Sequence, residues 1–266
     1  MGVLNFNIVA ITSAILWIVG LILLYLPLKK SFQPFASKLL IFTGTFLIFI
    51  YLIYLWVMLG HAPLRTLGQT RLWYSLFIAS IGILIFYKWK MKWVPVFSIF
   101  FSTLFLLINF LNPENFDKSL MPALQSIWFV PHVIVYIFGY AMLAMSTIIA
   151  LKCLYLINRN KFDKNLVLLA DNTVYIGFAF LTLGLLFGAL WAKEAWGQYW
   201  TWDPKEIWSF VTWLLYLLYI HFRFYHKNKV LLPLWLLVLS FLILLICWFG
   251  INYLPAAQTS IHTYRS

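Results

Sequence analysis

Eight long apolar runs separated by short polar stretches set out the chain, near residues 5–28, 37–59, 72–88, 93–111, 129–157, 168–191, 207–225 and 231–250. A helix needs about 20 predominantly apolar residues to cross the hydrocarbon core of a bilayer. Inside these runs apolar residues do not alternate with polar ones, as they would along barrel strands. Backbone groups cannot stay unpaired in lipid, so only helices and closed barrels span it. The pattern therefore predicts an all-α, polytopic integral membrane protein with about eight transmembrane helices. The third run is short, and the fourth follows it after a tight turn rich in Lys and Trp. No internal repeat or low-complexity linker interrupts the pattern, so residues 1–266 read as a single transmembrane domain.

Composition agrees: 64% of the residues are hydrophobic and only 10% are charged. The formal net charge of +12 changes the picture only through its placement. Thirteen of the 19 Lys and Arg follow odd-numbered spans, and six lie on the other side. Cytoplasmic loops carry the excess of Lys and Arg. Both termini are therefore expected to face outward, with the odd-numbered loops in the cytoplasm. The positive charge is topological, and a nucleic-acid partner is not expected. The first run is too long for a leader and no small-residue cleavage site follows it, so no cleavable signal peptide is expected. Cys153 and Cys247 stand singly in apolar runs, without a Cys-x-x-Cys pair. They read as buried small side chains, not as a redox relay or a zinc site.

The candidate chemistry is concentrated in the loop 192–206, which contains Trp196-Gly197-Gln198-Tyr199-Trp200-Thr201-Trp202-Asp203-Pro204-Lys205-Glu206. Trp and Tyr gather at membrane–water boundaries, but an ordinary aromatic belt is scattered and needs no such density in one loop. A flat apolar ligand with polar edges, such as haem, suits this surface. The charge pattern places His61, the segment 113–132 ending at His132, and the tail carrying His262 on the same side. Histidine is a common axial ligand of haem iron, so His132 and His262 beside the aromatic loop supply the parts of a bis-histidine site. Taken alone, His132 reads equally as an interfacial residue at a helix entry, and His262 as a solvated tail residue. His221 lies inside the seventh run, 13 residues beyond Trp208 and about 20 Å deeper. It reads either as a boundary histidine or as a ligand at an intramembrane haem stop. His226 is expected to be solvated, and the surroundings of His61 suggest a helix exit. Asp203, directly before Pro204, is expected to cap the seventh helix more than to act in an acid–base pair with Glu206. Asp171 is expected to cap the sixth helix or to snorkel near its start. No phosphate loop, serine triad or metal-cluster spacing is present.

Gly188-Ala189-Leu190-Trp191-Ala192, followed by the Trp196–Glu206 stretch, resembles the WWD signature of haem-handling proteins. Within that family, Trp202-Asp203-Pro204-Lys205-Glu206-Ile207-Trp208 with Tyr219-Ile220-His221 one helix later resembles the CcsA (ResC) branch of system II cytochrome c biogenesis. The resemblance runs from about residue 60 to 266; the first 59 residues match only as hydrophobic spans. The tail reads Ile261-His262-Thr263-Tyr264-Arg265-Ser266 where the family has Leu-His-Ser-Tyr-Gly, so the glycine is lost.

The resemblance implies a protein of a bacterial inner membrane or a thylakoid-type plastid membrane. It implies that His132 and His262 ligate the iron of haem b beside a platform formed by Trp196, Trp200, Trp202 and Asp203. It implies that His221 is the transmembrane histidine of this subunit. The second transmembrane histidine comes, in the family, from a CcsB (ResB)-like region, which this chain is too short to include; a separate partner is expected. Apocytochrome c would present a Cys-x-x-Cys-His segment whose thiols add to the haem vinyl groups. Arg65, Arg71 and Lys193 lie on the side suited to haem propionates. Two rival readings remain: a CcmC-type haem delivery protein without lyase activity, and a non-enzymatic membrane scaffold whose aromatics only anchor the loop.

Overall fold

The computed structural model describes residues 5–26, 33–116 and 122–250. Among these residues eight helices are long and apolar enough to cross a membrane: α1 (Phe6–Tyr25), α2 (Gln33–Leu59), α3 (Leu67–Trp89), α4 (Trp93–Leu111), α5 (Phe129–Asn158), α6 (Lys164–Trp196), α7 (Pro204–Tyr225) and α8 (Leu231–Trp248). The all-α polytopic architecture expected from the apolar runs is the one found. Chain contacts divide it into two compact units, Met1–Met121 and Pro122–Ser266.

In the first unit, side-chain donors pin neighbouring helices to each other's backbone. Trp17 donates through Nε1 to the Ile41 carbonyl (3.2 Å) and to Thr45 Oγ1 (3.1 Å), and the Ser37 hydroxyl donates to the Gly20 carbonyl (2.7 Å). Ser75 and Ser102 each donate to the other's carbonyl between α3 and α4, at 3.1 and 2.9 Å. Without a hydrophobic force between helices in lipid, such polar pairs and small residues supply the specificity. Helix α3 starts five residues before its apolar run because Thr66 and Gln69 form a capping box.

The second unit is built on the antiparallel pair α5–α6, with α8 packed on α5 and α7. Helix α6 extends beyond its apolar run at both ends. Hydropathy fades at Lys193 and Glu194, yet these residues keep helical propensity. The helix stops only where Gly197 turns left-handed, at φ 81°. Trp196 thus ends a helix, and the irregular loop is shorter than the expected 192–206, running from Gly197 to Asp203.

Candidate functional site

The α5–α6 pair builds the site around His132 by a stripe of missing side chains. Gly177, Gly184 and Gly188 face α5 at successive levels of α6. A Cβ on Gly177 would meet Leu143 at 2.7 Å, one on Gly184 would meet the Tyr136 ring at 2.9 Å, and one on Gly188 would meet His132 Cε1 at 2.8 Å. The rings of His132 and Tyr136 therefore lie directly against the α6 backbone. His132 sits in the first turn of α5 and donates through Nδ1 to the Gly184 carbonyl at 2.9 Å. Its ring stacks on Trp191 (centroids 5.3 Å, 30°) and meets Tyr136 edge-on (4.8 Å, 88°). Trp191 is held in turn by its Nε1–H bond to the Ala123 carbonyl (2.7 Å) and by Trp196 at 4.9 Å. A histidine whose Nδ1–H is given to a carbonyl carries its lone pair on Nε2, and that arrangement is common among metal-ligating histidines.

The Gly197–Asp203 loop is shaped from below by one carboxylate. Glu206, in the first turn of α7, accepts at Oε2 from the Thr201 amide (2.8 Å), the Thr201 hydroxyl (3.3 Å) and the Asp203 amide (3.1 Å). Asp203 accepts at Oδ1 from the Lys205 amide (2.9 Å), which makes it the expected cap of α7. Both carboxylates are buried. With the amides on either side of it drawn to one oxygen, Trp202 is left at φ 59° and 65% exposed. A left-handed backbone at a bulky residue is strained by roughly 1–3 kcal/mol. Trp200 meets Trp202 at 5.9 Å and Phe210 at 6.2 Å, while its buried Nε1 has no hydrogen-bond partner among the described residues. At the end of α6, Lys193 donates to the Gly197 carbonyl (2.8 Å) and lies over the Tyr199 ring.

The expected site residues thus fall into groups. Trp196 joins His132 through Trp191, whereas Trp200, Trp202 and Asp203 belong to the loop on α7. His221 is on α7 near its far end, exposed, with Nδ1 bonded to the Leu217 carbonyl one turn back (2.9 Å). His61 belongs to the first unit, half-buried and bonded to the Ala62 carbonyl. His226 ends α7 and is exposed. His262 lies outside the described residues. Asp171 neither caps α6 nor snorkels: it is buried in the second turn and pairs with Arg223 (2.8 Å) and the Tyr219 hydroxyl (2.5 Å) of α7. Among the described residues, no group of three or more His, Cys, Asp or Glu is placed to hold a metal ion.

Sequence reasoning missed three parts. One is the glycine stripe, whose spacing 177, 184 and 188 was the available signal. A second is the role of Glu206 as organiser of the loop. The third is a small cavity of about 280 Å³ lined by Ala123, Gln125, Ser126, Glu194 and Ala195, where the Ser126 hydroxyl donates to Glu194 (2.5 Å).

The family profile described as "Cytochrome C assembly protein" matches residues 65–257. A relative from Prochlorococcus marinus (strain MIT 9312), named cytochrome c biogenesis protein CcsA, is 32% identical over 89% of this chain and 86% of its own length. A relative of the same name from Trachelium caeruleum is 30% identical, with 81% of each chain covered. Among solved structures, "Cytochrome c Heme Lyase CcmF" has a TM-score of 0.71 at 19% identity, a likeness of fold that covers 92% of this chain and 46% of that one. This chain spans a little under half the length of that structure. With the WWD loop capped on α7 and the family profile covering most of the sequence, the chain belongs to the cytochrome c assembly protein family and is a multi-pass membrane protein of cytochrome c biogenesis.

Proposed function

We propose that this chain is the haem-handling subunit of a system II cytochrome c synthetase. It carries haem b as substrate across the membrane and presents it at the WWD loop for attachment to apocytochrome c. Both termini and the Gly197–Asp203 loop face outward, and a separate CcsB-like subunit completes the assembly. His132 and His262 hold the iron, and the rings of Trp196, Trp200 and Trp202 pack on the macrocycle. His221 holds an earlier, intramembrane position.

The observation that carries this reading is the setting of His132. The Gly184 carbonyl takes its Nδ1 proton, and Trp191 fixes the plane of the ring. A ligand held in this way needs little reordering when it binds iron. The exposed ring of Trp202 offers apolar surface at the same end of the unit. Support for His262 comes from the path of the chain. Helix α8 ends with Trp248 against Tyr140, two turns of α5 from His132. Thirteen residues lie between Trp248 and His262, and the fourteen residue steps of an extended chain span about 46 Å.

In this role His132 orients the iron, the loop rings exclude water, and the apocytochrome supplies the thiols and the histidine that takes over one iron position. The vinyl chemistry is the substrate's own. The test is co-expression with a CcsB-like partner and a cytochrome c reporter. The double variant His132→Ala/His262→Ala should lose haem or show a shifted Soret band, with covalent haem on the reporter partly restored by imidazole. Wild-type spectra and full reporter output in that variant would overturn the assignment. Normal haem content in the wild type with no covalent product would favour the delivery-protein reading.

A further inference from the structure

A second polar cluster lies at the other end of the second unit. Asp171 of α6 is 7% exposed. It accepts from Tyr219 Oη at 2.5 Å, from Arg223 Nε at 3.0 and 3.3 Å, and from Arg223 Nη2 at 2.8 Å. The other guanidinium nitrogen, Nη1, donates to the carbonyls of Lys227 (3.3 Å) and Lys229 (3.2 Å) in the turn between α7 and α8. One carboxylate thereby ties α6 to the last turns of α7, and its Arg partner ties those turns to the connection that follows. An ionised group is costly within a membrane helix, and such groups there mark a function more often than a filler. The presence of one fork-shaped Arg and one phenol on a single carboxylate fixes direction as well as distance.

The direction matters because of helix phase. Tyr219 and Arg223 are four residues apart and lie about 40° apart around α7, whereas His221 lies roughly 160–200° from both. Thr212, Tyr216 and Tyr219 form a buried stripe, and Val211, Leu214, Leu218 and His221 form the opposite, exposed one. Every bond that draws Tyr219 and Arg223 toward α6 turns His221 away from it. The Nδ1 bond to Leu217 then leaves the ring's lone pair on Nε2, carried on the exposed face.

We infer that Asp171, acting through Tyr219 and Arg223, is a positioning residue that sets the rotation of the end of α7 and so presents His221 on the outward stripe. This rests on the reading of His221 as a haem ligand, and deepens it: the second ligand must approach that stripe from outside the α6–α7 pair. The clamp is tested by a nitroxide on Leu218→Cys, one turn from His221, in a full-length chain carrying Cys153→Ala and Cys247→Ala. The label should give one spectral population in the parent and a broadened or second population in Asp171→Asn. Tyr219→Phe, which keeps the ring and loses one bond, should give a smaller change and guards against a variant that does not insert.

The haem readout is the Soret signal that His221→Gly loses and imidazole returns. Asp171→Asn should lower it by about tenfold, the loss expected of one charge-assisted bond. Imidazole should not return it, because the native ring is displaced and not absent. Label spectra and Soret signals equal to the parent in both Asp171→Asn and Tyr219→Phe would overturn the clamp. A changed label beside an unchanged His221→Gly spectrum would keep the clamp and overturn the haem reading of His221 instead.

Discussion

His132 and His221 belong to the same four-helix unit, and the chain holds them by different means. His132 is half-buried, bonded to a carbonyl on another helix and stacked on a tryptophan from that helix. His221 is exposed and, among the described residues, is bonded within its own helix; in the inference above its direction is set from behind, through the Asp171–Arg223 pair. Asp171 and Gly188 are 17 residues apart on α6, so the two regions are separated by about 26 Å along the helix. The difference teaches what each region is built for. The first supplies its own surroundings, the Gly184 carbonyl and the Trp191 ring. The second orders the direction in which a ring is offered, and in the proposed function a separate subunit supplies the surroundings.

Three substitutions sharpen this contrast. The largest effect is expected for Glu206→Ala, which leaves the Thr201 and Asp203 donors without their shared acceptor. The loop should lose about 3 kcal/mol of local stability. Hydrogen exchange at the Thr201 and Asp203 amides should accelerate by more than about 100-fold, with protection near Asp171 unchanged. A smaller effect follows from Gly188→Ala. The new methyl would need the space now held by His132 Cε1 and Nδ1, at 2.8 and 2.9 Å. The ring is pinned by Trp191, so overpacking should cost about 1–3 kcal/mol. Haem bound at the WWD end should decrease while the His221-dependent signal is kept. Equal loss of both signals would show that the two regions are not independent. The smallest effect on stability is expected for Trp202→Gly. Glycine accepts a positive φ without penalty, so the fold should hold or gain about 1 kcal/mol in thermal unfolding. Haem occupancy should nonetheless fall, because the exposed ring is lost.

Much of the architecture was legible in the apolar runs, since length and hydropathy suffice to place helices in lipid. The ends were less so. Helix α6 outruns its hydropathy because Lys193 and Glu194 continue a helix as well as apolar residues do, and only Gly197 stops it. Asp203 could be read as a cap because Asp-Pro before an apolar run has a local meaning. Asp171 could not: its partners are 48 and 52 residues away, and nothing local distinguishes a clamp from a snorkelling carboxylate. His132 was picked out by type and topology, but its grip depends on glycines of another helix, whose spacing has meaning only once α5 is packed against them. The three loop tryptophans read as one platform, whereas Trp196 is packed with Trp191, and Trp200 meets both Trp202 and Phe210.

In the proposed function the two histidines serve separate haem positions, the one at His132 complete without the one at His221. The direct measurement is haem binding from outside by the full-length chain in sealed membranes. The wild type, His221→Gly and His132→Gly are compared through Soret absorbance, with and without imidazole. His221→Gly should bind externally supplied haem as the wild type does, yet fail to load haem from within and to mature a cytochrome c reporter until imidazole is added. His132→Gly should show the reverse, losing the externally loaded signal. Loss of external binding in His221→Gly, or wild-type reporter output in that variant without imidazole, would contradict it.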